Sequence, residues 1–302
     1  MALSHKLFSI SLPGEHGEGP FKKMCRTLKC VLVILAMLAC VDAHAAVYTA
    51  VEVVDYTAGT GVSASLENPS AALGLPNPTV PGAFGHPASN YNPFTPHWDG
   101  NNIVQIGFGG QITLRLERFV AVTPSLLELG VWENVFLAQG TGPAGTAGNP
   151  AAVAGADSSE VFVSDDGVSF ISVGMITFNW FGNYWADSPG PASTGGTSIA
   201  DFGAPFTGQL SGFNGLGYAD VLAQLGGTAG GTWIDLDASG LARVGWVRFS
   251  GVASGYTLEL DGLAINTSLA ETSTIPEPST ILLFGVPAGF LLFYARKRFY
   301  AR

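Results

Sequence analysis

The sequence predicts an all-β fold between Val47 and Thr274, and three observations carry that expectation. No stretch of this body sustains the helical period of apolar residues. Short runs of β-branched and apolar residues stand instead between clusters of Gly, Pro, Asn and Ser, the punctuation of strands and turns. One segment, Glu160 to Gly174, has the plan of a hairpin: EVFV, a turn built on Asp166-Gly167, then VSFISV. Asp-Gly suits the positive φ angles that tight hairpin turns demand.

In chain order, the first element is a leader. Met24 to Ala45, MCRTLKCVLVILAMLACVDAHA, reads as a secretory signal peptide. Arg26 and Lys29 form its positive start, Val31–Leu38 its apolar centre, and Ala43-His44-Ala45 the small residues that signal peptidase accepts. The apolar run is shorter than the roughly 20 residues of a membrane span. Residues 1–45 are therefore taken as an extension plus signal peptide, with Met24 as the true start. Lipoprotein processing at Cys40 would follow Met37-Leu38-Ala39, a poor match where leucine is usual.

The body follows as one β-sandwich over residues 47–270, within the size that single all-β domains reach. Its clearest strands are Ile103–Phe108, Gln111–Leu116, Glu160–Ser164, Ser169–Gly174, Gly245–Phe249 and Thr257–Ile265. In the second of these, Ile112, Leu114 and Leu116 alternate with Gln111, Thr113 and Arg115, predicting one buried and one wet face. Val221–Leu225 is expected to be a short helical turn. Gly140–Gly155 and Pro189–Ser198 carry few large apolar side chains and are expected to be mobile surface loops. Strand count and turn spacing leave a jelly roll and an immunoglobulin-like order both open.

Charge is unevenly distributed. Between Val47 and Thr274 the only cations are Arg115, Arg118, Arg243 and Arg248, and lysine is absent. Phosphate binding needs clustered Lys or Arg, so no nucleic acid is expected as a partner. The three cysteines, Cys25, Cys30 and Cys40, all precede the body, which leaves it without disulfides or thiol chemistry.

Candidate chemistry is sparse. No GxSxG, HExxH or phosphate-binding loop occurs, and the body is expected not to be an enzyme. Phe94-Thr-Pro-His97-Trp98-Asp99 is the one place where a histidine, an aromatic and a carboxylate meet; a hydrolase would need a polar pocket there, and a loop packing Trp98 against the sandwich is preferred. Asp235-Leu-Asp237-Ala-Ser239-Gly240 imitates the start of an EF-hand, but its twelfth position is Trp246 where a bidentate glutamate is required, so it reads as a turn into a strand. Glu259 and Asp261 alternate with Leu258 and Leu260, placing both carboxylates on one strand face, either as a solvated acidic surface or as metal ligands. Trp180, Phe181, Tyr184 and Trp185 lie close to Asn179 and Asn183. Such a group either packs internally or stacks a sugar ring, with Trp180, Tyr184 and Trp185 as the contacts.

Several pieces of the body, in order, resemble the galactose-binding-like jelly-roll domains of bacterial cell-surface proteins: SLENPSAALGLP at Ser65–Pro76, IVQIGFGGQITLRL at Ile103–Leu116, VWENVF at Val131–Phe136, EVFVSDDGVSFISVG at Glu160–Gly174 and VGWVRFSGVASGYTLELDGLAI at Val244–Ile265. The resemblance implies a jelly-roll β-sandwich. It also implies that an acidic residue near the last strand helps to hold a structural calcium, with Glu259 and Asp261 first and Glu133 behind them.

The last element, residues 275–302, begins IPEPST. Pro276, Glu277, Pro278, Ser279 and Thr280 precede an apolar run at Ile281–Ala295, and Arg296, Lys297 and Arg298 follow it. The run is about 15 residues, below the usual spanning length, and is expected to be a short transmembrane helix stopped by that basic cluster on the cytoplasmic side. Tripeptide, apolar run, basic end and signal peptide together resemble the PEP-CTERM sorting signal. That resemblance implies export by a Gram-negative bacterium, transient inner-membrane anchoring, and cutting by exosortase near the motif. It implies a non-catalytic protein of the cell surface or extracellular matrix, associated with exopolysaccharide or biofilm. A carbohydrate-binding module and, behind it, a secreted hydrolase are the alternatives.

Overall fold

The computed structural model describes residues 46–82, 87–251 and 257–275. The signal peptide with its cleavage residues Ala43 and Ala45, the sorting motif Pro276–Thr280 and the expected transmembrane helix 281–295 lie outside the described residues. Among the described residues no helix is long and apolar enough to cross a membrane.

Strand is the dominant regular structure of the described chain, with little helix. In order the strands are β1 (Ala50–Thr57), β2 (Thr79–Val80), β3 (Ser89–Asn90), β4 (Val104–Ile106), β5 (Gln111–Ala121), β6 (Leu129–Glu133), β7 (Phe136–Leu137), β8 (Val153–Ala154), β9 (Asp157–Ser164), β10 (Ile171–Phe178), β11 (Thr232–Ile234), β12 (Arg243–Ser250), β13 (Leu258–Ile265) and β14 (Ala270–Thr274). One sheet runs β1-β5-β12-β9-β10, with β14 also on β5; a second runs β11-β6-β13-β4. Every pairing within these two sheets is antiparallel.

The two sheets share one core. Ile112, Leu114 and Leu116 of β5, Val161 and Val163 of β9, and Val247 and Phe249 of β12 meet Val104, Ile106, Val131, Leu258, Leu260 and Leu263 of the other sheet. Burying a side chain of this size stabilises by roughly 1.5–3 kcal/mol, so this layer is the main support of the fold. The Asp-Gly hairpin forms as predicted between β9 and β10. Gly167 has φ +73°, and the Asp166 carboxylate accepts from the backbone N–H groups of Val168 and Ser169.

Four expectations need correction or extension. The Gln111–Leu116 strand has no wet face at its centre, because Thr113 and Arg115 are buried too. Strand β5 lies between β1 and β12, whose side chains cover it: Glu52 accepts from Arg115 Nε at 2.5 Å, and Arg248 Nε donates to Thr113 Oγ1 at 2.9 Å. The strand also runs five residues further, to Ala121. The glycine-rich stretches are not free loops: Ala147 is buried and its N–H donates to Leu216 O, while Ser193 O accepts from Asn90 N. The helical turn is a full helix, α1 (Tyr218–Leu225), closed by Gly226 in the left-handed region.

A second layer covers the outer face of the smaller sheet. Successive strand residues face opposite ways, so Val131 enters the shared core while Trp132 turns outward. There Trp132 packs with Tyr91, Phe202, Ala229 and Ala264, and its indole N–H donates to Ala229 O at 3.1 Å. Gly182 and Gly231 allow the close approach, since a Cβ on either would stand 2.7 Å from the indole. Around α1 a third cluster joins Val221, Leu222 and Leu225 to Phe181, Phe213 and Phe94.

Candidate functional site

Strand β13 breaks step at one point. Leu260 is opposite Glu133 and Gly262 is opposite Trp132, so Asp261 has no partner in the ladder. A bulge of this kind re-aims a side chain. The Asp261 residue is 1% exposed, and its Oδ2 has no hydrogen-bond partner.

Residue Asp261 borders a pocket of about 320 Å³, while its Oδ2 is itself closed to solvent. Its lining joins distant parts of the chain: Ser70 and Asn77 from the proline-rich segment, Asn101 and Asn102 from the turn after Asp99, and Tyr184 from the outer layer. The Asp99 carboxylate orders the asparagine pair, accepting from Asn101 N–H at 3.0 Å and from Asn102 Nδ2 at 2.6 Å. No lysine or arginine lines this cavity.

Behind Asp261 stands His97, fully buried, with its ring stacked on Tyr91 at 4.8 Å between centroids. The His97 Nε2 lies 2.9 Å from Asn77 O. A carbonyl only accepts, so Nε2 carries the proton and is committed to Asn77, while Asp261 Oδ2 is 3.8 Å away. The Nδ1 atom and the Tyr91 hydroxyl are buried without a hydrogen-bond partner. Burial lowers the His97 pKa to about 4. It pushes the Asp261 carboxyl well above the usual carboxylate range, and Asp99 adds to that rise. Burial keeps the imidazole neutral against the opposing influence of Asn77 O and Asp99, and the ring does not border the cavity.

The other predicted carboxylates belong to a separate group. Glu259 accepts from Gln105 Nε2 at 2.7 Å and from Asn134 Nδ2 at 2.6 Å. Glu133 is buried, and desolvation, then Asp157 and Glu259, hold its carboxyl well above the usual range. Burial and Glu259 raise Asp157 to about 6. Glu259 and Asp261 thus share a strand but not a site. Among the described residues no three His, Cys, Asp or Glu side chains converge as a metal shell, and Glu133, Glu259 and Asp261, the calcium candidates that the resemblance implies, divide between the two groups.

The aromatic stretch divides as well. Trp180 is wedged among Phe181, Phe206 and Phe213, whereas Tyr184 packs on Phe202 and Trp185. Trp180, Tyr184 and Trp185 therefore offer no common stacking face, and of the three only Tyr184 borders the polar cavity. Trp98, 41% exposed, pairs with Phe136 at 5.8 Å beside a more apolar groove of about 460 Å³. The Asp235–Gly240 stretch is the expected turn, with Asp237 Oδ2 capping Ser125 N–H ahead of β12.

Sequence reasoning missed Tyr91, Asn77, Asn101 and Asn102. The run Asp99-Gly100-Asn101-Asn102 is a legible turn signal, but nothing local announces that it faces Asp261.

Fold and site together define an acidic, mostly β body with a polar cavity, followed in sequence by the Pro-Glu-Pro segment. The family model for the PEP-CTERM protein-sorting motif matches residues 274–298. The chain thus carries the signal of an exported protein, processed by exosortase and sorted at the membrane to the cell surface. Nothing among curated proteins or solved structures matches the chain.

Proposed function

We propose that the protein is a non-catalytic component of the cell surface or extracellular matrix, delivered there by exosortase and associated with exopolysaccharide. The sorting motif at 274–298, joined to a cysteine-free acidic body, carries this reading. In the proposed sequence of events signal peptidase cuts after Ala45. The 281–295 segment then anchors the chain, with Arg296, Lys297 and Arg298 retained on the cytoplasmic side, and exosortase acts near Pro276–Thr280. Pro276 and Pro278 disfavour helix and keep this segment extended, the form that enters a processing cleft.

The absence of catalysis is part of the proposal. It is supported by the burial of His97 and by its commitment to Asn77. A jelly-roll order of the galactose-binding-like kind is supported by the way consecutive strands β4, β5 and β6 alternate between the sheets. With so few cations, the body repels acidic polymers, which favours an uncharged polysaccharide as its neighbour.

Intact mass measurement of the protein from its native host tests the sorting scheme. Loss of everything after the Pro276–Thr280 region is expected, and alanine replacement of Pro276, Glu277 and Pro278 should leave the tail attached. A mature form ending at Arg302 would sink the scheme.

A further inference from the structure

We propose that β14 and Ile275 anchor the head of the sorting signal in the body, so that exosortase acts only when this strand is released from β5. The inference deepens the sorting scheme and rests on it for the enzyme.

The argument starts from an overlap. The sorting motif begins at Thr274, yet Thr274 stands opposite Arg118 in the β14–β5 ladder and Ile275 is 3% exposed within the shared core. Room for Ile275 is made on β12. The ladder there steps from Val244 to Trp246 and leaves out Gly245. A Cβ on that glycine would stand 2.9 Å from Ile275 Cδ1 and 2.8 Å from the Phe119 ring. The first two residues of the signal thus belong to the fold, and the Pro-Glu-Pro tripeptide starts at the very next position.

The hold is local. Strand β1 leaves the edge of β5 at Leu116, and β14 takes up the same edge, since β12 occupies the other. The β14 ladder pairs Ala270 with Val120 and Thr274 with Arg118, with a register shift between them, and Thr272, Ser273 and Thr274 are exposed. Two of the body's few arginines supply what the ladder lacks. Arg118 donates to Thr272 O, and Arg243, lying over the Phe119 ring at 3.9 Å, pairs with Glu271 at 3.3 Å. A strand held by one buried apolar side chain and a broken ladder opens without global unfolding.

Opening matters because recognition of an extended substrate runs along its backbone, and backbone bonded to β5 is closed to a second partner. Between Ile275 and the apolar run at Ile281 lie only Pro276–Thr280, a reach of about 17 Å at full extension. Release of β14 with Ile275 roughly doubles that reach. The apparent affinity of the enzyme for the chain is therefore lowered by the fraction of molecules with the strand released. Ile275 and Arg118 position the substrate and take no part in breaking the bond.

Pulse labelling of the full chain in its native host, with precursor and product separated by mass, tests this. Ile275→Ser should shorten the precursor half-life about tenfold, the order expected for one lost buried aliphatic side chain, whereas Ile275→Val should process like the wild type. Arg118→Cys together with Thr274→Cys places a disulfide across two paired positions in a body that has no other cysteine. The oxidised pair should persist as precursor until a reductant is added. The inference is overturned if Ile275→Ser is processed at the wild-type rate, if the oxidised pair is processed as fast as the reduced pair, or if the mature body ends before Ile275. If the serine variant is degraded, the disulfide pair decides alone. Loss of the tail at equal rates in every form would overturn the anchor and leave the sorting scheme intact. A tail kept by the wild type and by Ile275→Ser alike would overturn the scheme, and the anchor with it.

Discussion

Replacing His97 by glutamine isolates a pH-dependent contribution to stability that the site geometry dictates. In the unfolded chain the imidazole takes a proton near its ordinary value of 6.5; in the folded protein burial delays this to about 4. As pH falls below 6.5 the unfolded state binds the proton first, so stability is drained from the native state until pH 4. One pH unit of displacement corresponds to about 1.4 kcal/mol, and the full window therefore to roughly 3 kcal/mol. Glutamine can still donate to Asn77 O but does not titrate. Urea unfolding of both proteins from pH 7.5 to pH 4 gives the comparison, because the opposing contributions of Glu133, Asp157 and Asp261 are present in both and cancel. The wild type should lose about 3 kcal/mol relative to His97→Gln across that range. A relative gain on acidification would mean that His97 charges against Asp261 as an ion pair, and would refute the neutral, Asn77-directed imidazole.

Two further outcomes follow from burial. Glu133 has its pKa raised by desolvation and by Asp157 and Glu259, so its contribution is favourable near the unfolded carboxylate range and declines as pH rises. Glu133→Gln should therefore raise the urea midpoint at pH 8, by an amount equivalent to about 1 kcal/mol or more, with a smaller gain at pH 5; equal gains at both would count against the carboxylate cluster. Trp132→Ala should cost about 3–5 kcal/mol in thermal unfolding, since it empties the outer layer and leaves Ala229 O without its donor. Hydrogen exchange should quicken at residues 181–184 and 229–231 before it does in β5, and uniform quickening would argue against a separate outer layer.

The sequence made much of the fold legible, for a local reason. Alternation along Ile112, Leu114 and Leu116 and the Asp166-Gly167 turn depend on neighbours two to four residues apart, so periodicity reports them directly. β6 and β11 were harder to see, since Leu-Gly-Val-Trp-Glu and Thr-Trp-Ile are too short to show a period. Thr113 and Arg115 read as wet because polarity along a strand cannot reveal that Glu52 and Arg248 will close over it from either side.

The tail and the cavity mark the two limits. Pro276-Glu277-Pro278, the apolar run and the basic end are recognised as a contiguous line of residues, so the sequence by itself determined how this protein is exported and sorted. The cavity joins Ser70, Asn77, Asn101, Tyr184 and Asp261 across most of the body, and only tertiary structure could assemble it. The deciding event is the one-residue slip after Leu260, which removes Asp261 from its ladder. A bulge depends on how β13 meets β6, and that pairing joins residues more than a hundred positions apart. Side-chain alternation along β13 alone carries no trace of it.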